Sequence, residues 1–238
     1  MTEEINRLKE ELKRKTEELE SFVYIVSHDV KAPLRAINNL VEWIDEDLNG
    51  TTGDVRENFD LLKNRVKRIE NMMNALTELS RVRRMELDMA EVNTGAMIAE
   101  ILEMIPDSKK MKVETGKMPV FRTMHRKLYK VLYALIENAV IFHDKEDGHI
   151  RISCKEKEDC YVFSVKDNGP GIPEDLQGKV FTVFYTVNSK DIRETTGVGL
   201  TLAKKILDFV GGNIQLISKQ GEGSEFIFTW PKELNVTN

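Results

Sequence analysis

The sequence predicts a multidomain chain. Its α part is an antiparallel helical hairpin that pairs with a copy of itself as a four-helix bundle, and its α+β part is an α/β sandwich built on a mixed sheet. Three observations predict this. Ile37, Val41, Ile44 and Leu48 keep a heptad spacing, and so do Val55, Phe59, Leu62, Val66, Ile69, Met73 and Leu76. Between the two series, Asn49-Gly50-Thr51-Thr52-Gly53-Asp54 supplies two glycines and a helix N-cap, the composition of a reversal. Beyond residue 95 the pattern changes to short alternating strands separated by helical stretches.

Taken in order, Ile5, Leu8, Leu12, Leu19, Phe22 and Val26 follow spacings of three and four, with Lys15 at one polar seam position. This predicts a coiled-coil helix over residues 1–20 that runs into the hairpin of residues 21–85. A lone hairpin leaves its apolar stripe half uncovered, so the stripe predicts a homodimer through residues 21–85. The alternative is that the stripe packs on the C-terminal domain. Residues 81–95 lose the seam and read as the connection, with the linker proper at 86–94 and the second domain at 95–238. There the pattern predicts a helix over 95–105 ending at Pro106, strands over 111–114 and 120–123, and a helix over 125–142. Strands over 149–154 and 161–166 follow, then a long polar stretch and a helix over 200–210 stopped by Gly211-Gly212. Strands over 213–218 and 225–230 close the chain around Gly221-Glu222-Gly223.

A chain of 238 residues with 41% hydrophobic content can bury two modest cores. Its 35 basic and 40 acidic side chains are interspersed, without the basic stripe of a nucleic-acid binder. No apolar run approaches the roughly 18 residues that cross a bilayer. No basic segment followed by an apolar one opens the chain, so the expectation is a cytoplasmic location. Cys154 and Cys160 are too few for a disulfide framework or a metal cluster and read as small hydrophobes in strands.

Four motifs then occur in a fixed order. Ser27-His28-Asp29-Val30-Lys31-Ala32-Pro33 places a histidine five residues before a proline. Pro33 removes the donor for the Asp29 carbonyl, so the helix is expected to bend just below His28. Further on come Glu137-Asn138-Ala139, Asp167-Asn168-Gly169-Pro170-Gly171-Ile172 and Thr196-Gly197-Val198-Gly199-Leu200. The last opens a helix, where backbone N–H groups suit phosphate oxygens. Together these resemble the catalytic core of a sensor histidine kinase of a two-component system. Such a core is a dimerisation and phosphotransfer hairpin followed by an ATP-binding domain shared with gyrases and heat-shock chaperones.

The resemblance implies an ATP-dependent autokinase with His28 as nucleophile and Asp29 holding its ring in the attacking tautomer. ATP would be bound by Asn138, Phe142, Lys145, Asp167, Gly169, Gly171, Ile172, Thr196, Gly197, Val198, Gly199, Leu200 and Ser224. Asn138 would also carry Mg²⁺, and Asp167 would accept the adenine amine. Gly169 and Gly171 are expected to let the backbone approach the nucleotide. Phe181-Thr182-Val183-Phe184-Tyr185 resembles the family's phenylalanine box, whose aromatics anchor the lid more often than they touch nucleotide. The partners implied are a response-regulator receiver domain and an upstream sensor absent from this chain. The forms Ser27-His28-Asp29 and Phe142-His143-Asp144-Lys145 resemble kinases fed by PAS or phytochrome-type sensors.

Departures from the family pattern qualify this. Ala32 stands where many relatives carry threonine or asparagine for phosphatase chemistry, so that activity is not expected by the usual route. Ala134 replaces a second asparagine, or the water-activating glutamate of the related ATPases. Ile141 replaces a phosphate-facing lysine, for which Lys145 could substitute, although its plain reading is a solvated lysine. These leave open a nucleotide-binding scaffold without kinase activity and, more remotely, an ATP-gated clamp of the gyrase and chaperone type.

Overall fold

The structure is a computed structural model. It describes residues 54–82, 88–185 and 197–233 continuously and, upstream of these, 8, 14–16, 19, 23, 30, 34–35 and 37–44. The chain divides into two compact units, Met1–Arg84 and Met85–Asn238. His28, Asp29, Ala32, Pro33, the 49–53 reversal and Thr196 lie outside the described residues.

In the first unit, residues 37–44 are helical and α1 spans Asp54–Arg81. The heptad series divides its members between two environments. Val41, Phe59 and Val66 are buried together in one core cluster. Ile37, Ile44, Leu62 and Ile69, from the same series, are exposed by between 45% and 47% of their surface, and Leu40 and Trp43 lie open beside them. Toward the C-terminal end of α1, Thr77 and Ser80 are buried. Their hydroxyls donate to the Met73 and Thr77 carbonyls at 2.8 and 2.9 Å, so burial leaves no polar group orphaned.

The second unit begins inside the segment that reads as linker. Strand β1, Met89–Asn93, pairs antiparallel with β3, Val120–Met124, with Val92 opposite Phe121. Only Val92 of the β1 residues is buried, so the strand has no alternation to read and is held by cross-strand pairing. Asn93 then caps α2, Thr94–Met104, accepting from the Ala96 N–H at 3.0 Å. A 3₁₀ turn over Pro106–Lys110 leads to β2, Lys112–Thr115. Next come α3, His125–Ile141, then β4, His149–Glu156, and β5, Cys160–Asp167. A short helix α4, Glu174–Gln177, falls in the stretch that reads as polar and unpatterned. Finally α5, Gly199–Val210, precedes β6, Asn213–Lys219, and β7, Gly223–Pro231.

The main sheet runs β2-β4-β5-β7-β6, with β2 parallel to β4 and every other pair antiparallel, a mixed sheet as expected. Its inner face presents Ile150, Ile152, Phe163, Val165, Phe226, Phe228 and Trp230, all buried. Against it α3 buries Leu128, Val131, Leu132, Leu135 and Ile136, and α5 buries Ala203, Ile206 and Leu207. Phe163 and Phe228 stack at 5.0 Å, and the Trp230 indole donates to Thr123 Oγ1 at 2.7 Å, tying the small sheet to the large one. The core therefore holds α3 and the ends of β5 and β7 rigidly relative to one another. Those are the elements that carry the site.

Candidate functional site

Asp167 ends β5 and is buried. Its Oδ1 accepts from the Gly169 N–H at 2.9 Å and the Ser224 N–H at 3.1 Å. Among the described residues no donor of another residue reaches its Oδ2. Burial raises the carboxyl above its ordinary range, against the pull of those two backbone donors and of His143. Asn168 is a strut: its Oδ1 accepts from His149 N–H at 2.8 Å and its Nδ2 donates to Asp147 O at 3.0 Å.

The glycines of the motif lie against the protein's own atoms. A Cβ on Gly171 (φ +67°) would stand 2.0 Å from the Lys219 carbonyl oxygen, and one on Gly223 (φ +101°) 2.2 Å from that of Asp167. Both glycines are needed because the 168–172 turn and the β6–β7 hairpin press backbone against backbone. A Cβ on Gly169 would meet the Asp167 carboxylate at 3.0 Å. The colliding partner is in each case the protein itself. Ile172 N–H donates to Ser218 Oγ at 2.8 Å.

Asn138 sits near the end of α3, half-buried, and its carboxamide has no hydrogen-bond partner among the described residues. One turn earlier, the Ala134 methyl lies 3.6 Å from where a Gly199 Cβ would be, so α3 faces the start of α5 across Ala134. Val198 is buried and its carbonyl accepts from Leu202 N–H at 2.8 Å; Leu200, in the first turn of α5, is half-buried. The Gly197 carbonyl accepts from Phe184 N–H at 3.0 Å. Phe142 closes α3, its N–H donating to the Asn138 carbonyl at 3.2 Å. The Lys145 Nζ donates to the Gly221 carbonyl at 3.2 Å, on the β6–β7 turn. Phe181 packs edge-on against Phe226 at 6.4 Å, and its carbonyl accepts from Thr201 Oγ1 at 3.0 Å, so this aromatic anchors its segment to the domain.

The arrangement thus holds a buried carboxylate with one oxygen to offer at the end of β5, and a carboxamide without a partner among the described residues on α3, the helix whose Ala134 meets the start of α5. Comparison with known families decides what it is. Residues 124–234 match the family described as histidine kinase-, DNA gyrase B-, and HSP90-like ATPase, and residues 18–84 match the His kinase A (phospho-acceptor) domain. The chain carries the catalytic core of a sensor histidine kinase.

Cyanobacterial phytochrome B of Nostoc sp. (strain PCC 7120) is 34% identical to the kinase core over 238 residues, 95% of this chain and 31% of that protein. The chain therefore spans about a third of that relative's length. Two solved structures share the fold. Full-length ShkA in complex with AMPPNP superposes with a TM-score of 0.69 at 20% identity, over 91% of this chain and 47% of that one. The histidine kinase ThkA in complex with the response regulator protein TrrA gives 0.64 at 23%, over 96% and 67%.

His28 and Asp29 fall within the matched phospho-acceptor domain, and helical residues on either side of them are described at 23 and 30. Sequence reasoning on the kinase core missed two features of the site. Tyr133 donates to Glu137 Oε1 at 2.9 Å on α3, next to Asn138. Burial foremost raises the Glu137 carboxyl, and burial and Glu137 push the Tyr133 hydroxyl up to about 12. The spacing of four was the available signal. Ser218 and Gln177 also hydrogen-bond the 168–172 turn, and no motif contains them. Among the described residues no group of three His, Cys, Asp or Glu side chains could hold a metal, and both cysteines are free. No described helix is long and apolar enough to cross a membrane.

Proposed function

We propose that this chain is an ATP-dependent histidine autokinase in which the domain of residues 95–238 binds ATP and presents its γ-phosphate to His28. Nε2 of His28 attacks the γ-phosphorus, the bond from that phosphorus to the bridging β–γ oxygen breaks, ADP leaves, and a phosphohistidine remains. Asp29 accepts from Nδ1–H and balances the charge that develops on the ring. The phosphoryl group then passes to an aspartate of a separate receiver domain. The observation that carries the reading is a buried carboxylate, Asp167, with one oxygen to offer, together with an unengaged carboxamide, Asn138, on the helix whose Ala134 meets the start of α5.

Catalysis in such a reaction is mainly positioning and charge neutralisation. Asp167 Oδ2 selects the exocyclic amine of adenine, because a carboxylate accepts and never donates. Phe142, the Gly169–Ile172 turn and Ser224 frame the base. The backbone of residues 196–200 meets the phosphates. Lys145, bonded to Gly221, would have to leave that carbonyl to reach them. The Asn138 carboxamide fits Mg²⁺, which takes hard oxygen ligands and keeps several waters. Bound there, Mg²⁺ supplies neutralisation of phosphate charge.

The exposed half of the heptad series supports a homodimer: Ile37, Ile44, Leu62 and Ile69 form the stripe that the intrachain core leaves open. Burying such a residue fully contributes about 1.5–3 kcal/mol, so half-exposed residues still have a good part of that to gain from a second copy. One observation favours a second reading, a nucleotide-binding scaffold: the Ala134 methyl against Gly199 offers the phosphate end no side-chain ligand.

Phosphate incorporation from γ-labelled Mg-ATP separates the two readings. An acid-labile, alkali-stable label lost in His28→Gln is the expected result. Measurable ATP binding with no label would replace the kinase with the scaffold.

A further inference from the structure

We infer that Ser218 is a positioning residue for base recognition, holding the three segments around Asp167 in register through one hydroxyl. This rests on the reading that the Asp167 pocket binds ATP. Ser218 lies on β6, outside the four motifs, and is half-buried. Its Oγ accepts from Ile172 N–H at 2.8 Å, donates to the Gly223 carbonyl at 2.9 Å and lies 3.0 Å from Ser224 Oγ. A serine has one hydroxyl proton, and here Gly223 takes it. The Ser224 hydroxyl must then be the donor in the serine pair. The backbone N–H of Ser224 in turn donates to Asp167 Oδ1.

The backbone of Ser218 extends the same link. Its carbonyl accepts from Gln177 Nε2 at 3.0 Å, and that nitrogen also donates to the Ile172 carbonyl at 2.9 Å. One residue thus joins the 168–172 turn, helix α4 and the start of β7. On either side of it the backbones touch where Gly171 meets Lys219 and Gly223 meets Asp167. The Gly221 N–H also donates to the Pro170 carbonyl at 2.6 Å at the hairpin tip; the Ser218 hydroxyl, bonded to the turn and to the start of β7, fixes their offset next to Asp167. That offset aims the Asp167 carboxylate, because one of its two supporting donors sits on each segment. The phosphate end, at Asn138 and Gly199, is built from other elements. Loosening Ser218 should therefore damage the reading of the base far more than the handling of phosphate.

Calorimetric titration of Mg-ATP and Mg-GTP into the whole chain tests this, with Ser218→Ala and Ser218→Thr beside the parent. Removing the hydroxyl leaves the Ile172 N–H and the Gly223 carbonyl without their partner. ATP affinity is expected to fall about tenfold and the preference for ATP over GTP by a similar factor. Threonine keeps the hydroxyl and restores both. In autophosphorylation KM for ATP rises while kcat at saturation holds. A purely structural role would weaken both nucleotides equally, and equal weakening, or parent-like binding by Ser218→Ala, overturns the inference. If the alanine variant is unfolded at the assay temperature, Ser218→Cys keeps the volume with weaker hydrogen bonds. The same loss of preference is then required of it, and parent-like selectivity overturns the inference. Should the parent bind no ATP, the proposed function fails first and this inference falls with it.

Discussion

Replacing Asp167 by asparagine is the most direct probe of the base end, because shape is kept while the hydrogen-bond code is inverted on one side. In the parent, Oδ1 is committed to Gly169 and Ser224, which leaves Oδ2 to accept from the base. Asparagine must keep its single oxygen toward those two backbone donors, so its NH₂ takes the Oδ2 position. A donor then faces the adenine amine. The charge-assisted bond, worth about 1.5–3 kcal/mol, is lost, and an unpaired buried amine costs about 1–3 kcal/mol more. A combined loss of about 2.5–6 kcal/mol corresponds to roughly 70-fold weaker ATP binding at the least and more than about 10,000-fold at the most. The 6-oxo group of guanine accepts from that NH₂, so the ATP-to-GTP preference should narrow or reverse. Stability has the opposite sign. Burial raises the Asp167 carboxyl in the folded protein, so the folded state holds its proton more tightly than the unfolded state does. Its contribution is therefore most favourable at low pH and declines as pH rises. At neutral pH, Asp167→Asn removes a buried charge, and the melting temperature without nucleotide should hold or rise. Competition calorimetry with ATP and GTP, beside a melting curve, reads both effects. ATP binding within threefold of the parent would refute the assignment of Asp167 to the base.

The remaining expectations concern packing and charge. Gly171→Ala places a methyl 2.0 Å from the Lys219 carbonyl oxygen at a φ of +67°, and no flexible side chain is there to move aside. A loss of more than about 2 kcal/mol in urea unfolding, with ATP binding impaired in whatever remains folded, is expected; a loss under about 0.5 kcal/mol would contradict it. Glu114 is held down to about 2, by Lys112 first and then Arg151, from an ordinary 4.5. Its contribution to stability is complete above about pH 4.5 and disappears as pH falls toward about 2, so Glu114→Gln should flatten the acid limb of a stability profile in that window alone.

What could be read from the residues follows from how far each interaction reaches along the chain. The heptads at residues 37–48 and 55–76 are legible because a helix places its partners three and four residues apart. Strands β4, β5 and β7 are legible for the same reason at period two. Strand β1 is not, since a single inward residue, Val92, makes no period, and its stability comes from β3 some thirty residues later. The site shows the same division. Asp167 and Asn138 stand out by motif, and the structure places each with an unengaged oxygen. The need for glycine at 171 was visible, but not the backbone contact that enforces it: the colliding atom belongs to Lys219, forty-eight positions away. Ser218 gave no signal, because a serine in an alternating strand reads as an outward polar residue. Lys145 read as solvated or phosphate-facing, and its partner is a turn carbonyl at Gly221, which no local pattern announces.

The two ends of the site are also unequally specified, and this bears on the departures at Ala134 and Ile141. At the base end, Asp167 is fixed by two backbone donors, two glycine-mediated backbone contacts and the Ser218 hydroxyl. The proposed phosphate end offers one carboxamide, Asn138, while Ala134 one turn earlier presents a methyl toward α5. Missing side-chain ligands there do not argue against nucleotide binding, because affinity can be anchored at the base and the phosphates can be met by backbone N–H groups and water. They bear instead on the step after binding, where charge on the transferring phosphate has to be neutralised. A loss of kinase activity caused by Ala134 would therefore appear as unimpaired ATP affinity with slow transfer. Binding data alone cannot distinguish an active kinase from a scaffold in this chain, and the phosphohistidine measurement carries the decision.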